Sequence, residues 1–284
     1  MDDLQRVEFD ILKEFVDICD KLGLTYYLVC GSALGAVKYN GFIPWDDDVD
    51  VALPRGDYEV FCRRAPRLLP SHLFLQNHVT DSQYPRIYSK LRNSNSTYIE
   101  KPVAHIPMNH GAFIDVFPLD GYPNNSKNVK KLERIKKWIK LQLECALNVD
   151  YGLLRNTYFA FERFLGFHKN TAGLIDKLQC ELVKWSTEAS ELWCNHGNWQ
   201  GRLEYAPREQ YGEGVIVKFE GLDVRVPEKY DEYLTQKYGD WRADLPPEQQ
   251  VGHHYYAVCD TTRPYTDYIE RLPNGKIRIK NAKD

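Results

Sequence analysis

The chain has 284 residues, 43% of them hydrophobic and 27% charged, and a formal net charge of -3. This length and balance fit a soluble globular protein that buries a large core and exclude a disordered chain. The slight negative charge gives no global attraction for nucleic acid or an anionic surface, so no nucleic-acid partner is expected and any polyanion must meet a local patch. The seven cysteines are scattered and never spaced C-x-x-C. That argues against a zinc ribbon or disulfide scaffold and for buried thiols in a reducing compartment. The N-terminal MDDLQRVEFD lacks the basic-then-apolar profile of a secretory signal, and no apolar run approaches the ~18 residues of a membrane span. The expected location is cytoplasmic.

Leu4, Val7, Ile11, Phe15, Ile18 and Leu22 recur at helical spacing before Gly23 and predict an amphipathic first helix. Tyr26 to Cys30 reads as a short strand that runs into GSALGAV, whose small residues allow a tight strand-to-helix turn. A helix through Tyr58 to Leu69 follows, closed by Pro70. YPRIYSKLRN alternates as a strand, with Arg86, Lys90 and Arg92 on one face and Ile87 and Leu91 on the other. Gly111 to Gly121 is an apolar strand with Asp115 embedded in it, while Asp120 reads as a turn residue.

From Asn124 the texture turns helical, over residues 126–147, Tyr158 to Phe167 and Leu174 to Cys194. Seven bases between Lys127 and Lys140 lie opposite Val129, Leu132, Ile135 and Ile139. Such a helix is either a solvated face or a peripheral contact with a membrane. Strand character returns in GVIVKFEGLDVRVP, followed by a helix in YDEYLTQKYGDW and a basic, frayed tail from Asn274. The reading is an α/β (α+β) protein with a mixed sheet: a core over residues 1–123, a helical insert over 124–200, and a segment over 201–284 that completes the core.

Chemistry concentrates in GFIPWDDDVDVALP, where four aspartates occupy five positions at the mouth of a strand. Period-two alternation places Asp46, Asp48 and Asp50 on one face and Asp47, Val49, Val51 and Leu53 on the other. Neighbouring acids on that row lie roughly 7 Å apart at their Cα atoms, a span that divalent cations bridge through oxygen ligands. Read alone, the cluster fits a solvated acidic turn as well. Gly31 and Ser32, between strand and helix, present free amides and a hydroxyl suited to a phosphate, though Ser32 is equally a helix N-cap.

The run YLVCGSALGAVKYNGFIPWDDDVDVALPRGDYE resembles the signature of the LicD family, and GAFIDVFPLDGYP and VPEKYDEYLTQKYGDWRADLPPE resemble its later blocks. The helical middle, roughly residues 126–201, matches only in general character. The resemblance implies a nucleotidyltransferase-like fold. It also implies transfer of a phospho-alcohol from a CDP-activated donor to a glycan hydroxyl, with release of CMP. Phosphocholine from CDP-choline is the leading cargo, with CDP-ribitol or CDP-glycerol close behind. The acceptor would be a cell-surface polysaccharide, teichoic acid or lipopolysaccharide precursor, free or lipid-linked, met at the inner membrane face.

By the same resemblance, Asp48, Asp50 and Asp115 fall on metal positions for Mg²⁺ or Mn²⁺, and His253 on a histidine that contacts phosphate or serves as an acid. Asp46 is a second-ion ligand or the base toward the acceptor hydroxyl. Lys90 and Arg92 are candidates for gripping the donor phosphates, the alternative being a wet basic face. Trp45, Tyr255 and Tyr256 are candidates for a cation–π cage. Two other functions fit the residues: an NTP-dependent nucleotidyltransferase acting on a small molecule, and a non-catalytic glycan- or metal-binding module.

Overall fold

The computed structural model describes residues 1–150, 152–166, 170–197, 204–252, 255–273 and 275–280. The N-terminal half contains α1 (Asp3–Leu22), β1 (Tyr27–Leu28), α2 (Cys30–Tyr39), β2 (Asp50–Pro54), α3 (Arg55–Arg64), β3 (Leu73–Gln76), β4 (Ser89–Asn93), β5 (Thr97–Glu100) and β6 (Ala112–Gly121). Three helices follow, α4 (Ser126–Cys145), α5 (Leu153–Leu165) and α6 (Thr171–Leu182), and then the short strands β7 (Leu192–Cys194) and β8 (Tyr205–Pro207). The C-terminal part adds α7 (Arg208–Tyr211), β9 (Val215–Phe219), β10 (Leu222–Val226), α8 (Tyr230–Tyr238), β11 (Tyr256–Asp260), β12 (Ile269–Arg271) and β13 (Ile277–Ile279).

The central sheet runs β1-β2-β6-β4-β3, and β7 extends it from the end of β6 with β8 beyond. Only the β2–β6 pairing is parallel; the others are antiparallel. The expected mixed α+β class is what the chain adopts. One face of the sheet is apolar, built from Leu28, Val51, Leu53, Leu75, Leu91, Ile114 and Val116, all buried. Its cover includes α3, whose Tyr58 hydroxyl lies 2.7 Å from the Ser89 hydroxyl. Phe61 of α3 meets Phe15 of α1 at a centroid distance of 5.1 Å. The opposite face carries polar groups in one row, because the register aligns Asp50 with Asp115, Asp115 with Lys90, and Lys90 with Gln76.

Local chemistry explains the helix ends. Asp2 and Gln5 form a reciprocal capping box at the start of α1, and Gly23 ends the helix in the left-handed region. Glu220 and Gly221, both at positive φ, make the two-residue turn of the β9–β10 hairpin. From that turn the Glu220 amide donates to the Asn40 carbonyl at 2.8 Å. Its carboxylate accepts from the Phe42 amide at 3.2 Å. The hairpin thus grips the chain where it enters the acidic segment.

Several expectations need correction. The acidic strand begins only at Asp50; Asp46 to Val49 form a connector without regular pairing. The strand expected over YPRIYSKLRN is confined to Ser89–Asn93. The helix expected from Leu174 to Cys194 stops at Leu182, and Leu192–Cys194 is a strand. Part of the basic tail is ordered, since Ile277–Ile279 pairs with Ile269–Arg271. Asp120 is no turn residue: it sits fully buried in β6 and takes a bidentate pair from Arg55 at 2.6 and 2.8 Å. All seven cysteines are free thiols. Among the described residues, no helix is long and apolar enough to cross a membrane.

Candidate active site

The acidic connector is held in place by three neighbours. Gln5 of α1 donates its side-chain amide to the Asp46 carbonyl at 3.0 Å. The Ser32 hydroxyl, buried in α2, accepts the Asp50 amide at 2.8 Å, which fixes where β2 starts. Gly31 leaves room for the Asp46 carboxylate, whose oxygen would lie 2.7 Å from a Cβ added there. Any side chain at residue 31 would push that acid away.

Within this frame, one carboxylate oxygen from each of Asp46, Asp47 and Asp48 lies within 4.8 Å of the others. Asp50 stands beside them, and Asp115 is its register partner on β6. The cost of this crowding shows at Asp50. Burial first, then the charges of Asp48, Asp115 and Asp46, push its carboxyl well above the usual carboxylate range, while Lys237 pulls the other way. Asp115 is nearly buried and has its own counter-ion, the Lys90 ammonium at 2.7 Å. Glu8, on the inner face of α1, is also pushed well above its usual range, by burial first and then by Asp48 and Asp47.

A cavity of about 350 Å³ opens against these acids. Asp46, Asp48 and Asp50 line it together with Gly31, and its cations are Lys38 and Lys237. Lys237 of α8 is buried in an ion pair with Glu204 at 3.0 Å. Burial alone would lower its pKa, but Cys30, Glu204 and Asp50 outweigh that and raise it. Lys38 of α2 donates to the Ala243 carbonyl at 2.8 Å and pairs with Asp244 at 3.0 Å. Asp240 adds a further acid, and the remaining wall is mostly aromatic and apolar, with Tyr39, Trp45, Tyr238 and Trp241 prominent. Carboxylates, cations and aromatic rings therefore meet in one space, the set needed to hold a metal-complexed diphosphate bearing an organic group.

Residues 23–144 match the profile described as LicD/FKTN/FKRP, nucleotidyltransferase domain. The lipopolysaccharide cholinephosphotransferase LicD of Haemophilus influenzae is 28% identical over 260 residues, covering 88% of this chain and 94% of that protein. Both matches support a LicD-family assignment. An uncharacterized protein of Rickettsia prowazekii is also similar, at 27% identity over 130 residues, 46% of this chain and 45% of its own. The same similarities support a phosphotransferase activity.

With the LicD framework in view, the individual residues can be placed. Asp46, Asp48 and Asp50 converge at the cavity, and Asp115 adjoins them through the sheet. Asp47, expected to point away, contributes to the carboxylate cluster, because alternation does not operate in an unpaired connector. Gly31 lines the cavity, whereas the Ser32 hydroxyl is spent on the Asp50 amide.

Lys90 and Arg92 do share the polar sheet face, but neither is a wet residue nor a cavity cation. Both are buried. Lys90 serves Asp115, and Arg92 binds Gln76, the Gly111 carbonyl at 2.7 Å and Glu100 at 3.2 Å. Trp45 lines the cavity, while Tyr255 and Tyr256 are exposed. His253 lies outside the described residues; its neighbour Gly252 approaches Asp47 closely enough that a Cβ there would meet the carboxylate at 3.0 Å.

Sequence reasoning missed Lys38, Lys237 and Glu8. Lys38 closes GSALGAVK in the first run that resembles the family, and Lys237 precedes YGDW in the last. Glu8 interrupts the apolar stripe of α1 between Leu4 and Ile11, a legible oddity.

Proposed function

We propose that the chain transfers a phospho-alcohol, phosphocholine first among the candidates, from a CDP-alcohol to a glycan hydroxyl, with CMP as the leaving group. The observation that carries this reading is similarity to the Haemophilus cholinephosphotransferase along 94% of that protein's length. By the relative's name, a lipopolysaccharide-type glycan is the first acceptor to try. The place of work in this reading is the cytoplasmic face of a membrane, where the cationic side of α4 over Lys127 to Lys140 approaches a lipid-linked acceptor.

The donor set fits a hard divalent cation, Mg²⁺ or Mn²⁺. The oxygens of Asp46, Asp47 and Asp48 cluster within 4.8 Å, Asp50 and Asp115 adjoin them, and carboxylate oxygens are the ligands such ions select. When bound, the ion neutralises diphosphate charge and polarises a phosphoryl oxygen. The chain's own groups do the rest. Lys237, buried beside Asp50, and Lys38 flank the diphosphate and stabilise the charge that grows on departing CMP.

Asp46, fixed against Gly31, takes the proton of the attacking hydroxyl as its oxygen bonds to the alcohol-side phosphorus and the bond to CMP breaks. Tyr39, Trp45, Tyr238 and Trp241 offer π faces to a trimethylammonium group. The deciding assay incubates the protein with Mg²⁺, lipopolysaccharide and CDP-choline, CDP-ribitol, CTP or ATP in turn. CMP release from CDP-choline supports the proposal. Diphosphate release from CTP or ATP replaces it with nucleotidyl transfer, and Mn²⁺ binding without turnover of any donor leaves a binding module.

A further inference from the structure

The helix α5 is built inside out. Its polar side chains make the intramolecular contacts. Arg155 pairs with Glu144 of α4, and Glu162 accepts from Gln142 at 3.1 Å. Arg163 donates to the Cys145 and Leu147 carbonyls at 3.0 and 3.3 Å, and Asn156 donates to Asp150 at 2.7 Å. Of its large apolar residues only Phe159 is buried. The others point to solvent: Leu153 is 84% exposed, Leu154 88%, Phe161 59% and Phe164 85%. Six of the seventeen large hydrophobic side chains exposed among the described residues sit on this one helix of 13 residues. At 3.6 residues per turn they form a continuous apolar arc with no charge in it. An exposed patch of this kind marks a surface that something else covers.

We propose that α5 lies in the plane of an anionic bilayer, with Leu154, Phe161 and Phe164 inserted at the headgroup level. A 13-residue helix is about 20 Å long, too short to span the ~30 Å hydrocarbon core but suited to lie along its edge. Charge selects the lipid. Residues 126–165 carry nine basic and four acidic residues, a net of +5 in a chain whose total is -3. The solvent side of α4 presents Lys127, Lys130, Lys131, Arg134 and Lys137 around the partly exposed Trp138, the mixture that interfacial helices use. The same charge disfavours a symmetric contact between two copies, which would bring two cationic helix pairs together.

The inference goes beyond the reaction assignment, because vesicle binding requires neither donor nor turnover. The test is flotation of the full chain with phosphatidylcholine vesicles with and without phosphatidylglycerol, beside light scattering of the protein alone. The wild type should float with the anionic vesicles and sediment with the neutral ones. The triple variant Leu154→Asp, Phe161→Asp, Phe164→Asp should bind roughly tenfold less or worse. Its circular dichroism and its turnover with a soluble acceptor should be unchanged. Absence of wild-type flotation, or equal flotation of a folded triple variant, overturns the proposal. So does a wild-type dimer that the triple variant converts to a monomer, since a second copy would then cover the helix. If the triple variant fails to fold, Leu154→Asp alone takes its place in the same comparison.

Discussion

Asp50 and Asp115 are register partners across the parallel pairing of β2 and β6, and Lys90 of β4 closes onto Asp115 from the other side at 2.7 Å. Two carboxyls and one ammonium thus form a row on the polar face of the sheet. Asp50 is held above its usual range by burial and by Asp48, Asp115 and Asp46, so removing one negative charge relieves repulsion. Asp48→Asn and Asp50→Asn should each melt within a few degrees of wild type. Asp115→Asn should melt lower, because buried Lys90 keeps only Glu100, at 3.8 Å, as a carboxylate partner among the described residues. All three should lose roughly two to three orders of magnitude in turnover. Thermal melts and CMP release measure the two arms. An active, folded Asp115→Asn would remove that residue from the chemistry.

Lys90 tests a different link. If its work is to neutralise buried Asp115, Lys90→Met should destabilise the fold by about 3–5 kcal/mol, because a lone buried carboxylate remains. Adding Asp115→Asn should restore much of the loss. Urea midpoints read the cycle. A raised donor KM with an unchanged midpoint would instead place Lys90 on the donor.

Under the proposed reading, Lys237 meets donor phosphate beside Lys38. Lys237→Gln combined with Glu204→Gln, which avoids stranding Glu204, should raise donor KM roughly tenfold to a hundredfold, the worth of one charge-assisted hydrogen bond. Steady-state kinetics with varied CDP-alcohol provides the number, and an unchanged KM would exclude the contact.

Trp45 should act on selectivity. Trp45→Leu keeps an apolar wall but removes the ring face, so discrimination for CDP-choline over CDP-ribitol should fall by the ~0.5–2 kcal/mol of a cation–π contact. Competition between the two donors reports the ratio. An equal loss for both would make Trp45 a packing residue.

A stability effect is expected at His110, away from the acids. Burial, then the charge of Arg92, lowers its pKa to about 4, whereas an unfolded histidine titrates near 6.5. Its neutral form contributes stability that is complete above pH 6.5 and is lost as pH falls towards 4, up to about 3 kcal/mol. The melting temperature of His110→Asn should therefore fall less steeply over that window than that of wild type. Parallel slopes would contradict the assignment.

What the sequence discloses here follows from the range of the interactions. The strand character of the apolar runs holding Asp50 and Asp115 was legible because it is local, whereas their partnership was implied only by the resemblance to the LicD blocks. Alternation put Lys90 and Arg92 on one face correctly, yet could not say whether that face was wet, since burial depends on Glu100 and Gln76 arriving from other elements. Asp47 was misplaced because strand periodicity was extended past the point where pairing stops. Lys38 and Lys237 reach the cavity from α2 and α8, which are brought together only by tertiary packing. In α5 the apolar stripe was visible, but its period does not tell which side of a helix meets the protein.

The parallel alignment of β2 with β6 also bears on how the site comes into being. Antiparallel neighbours can zip from a hairpin, whereas these two strands meet only after everything between Pro54 and Gly111 has found a place. Their acids therefore become neighbours late in folding, when long-range closure is complete. In a refolding experiment the onset of tight Mn²⁺ uptake should clock the final step of assembly, and truncated fragments ending before β6 should never acquire it.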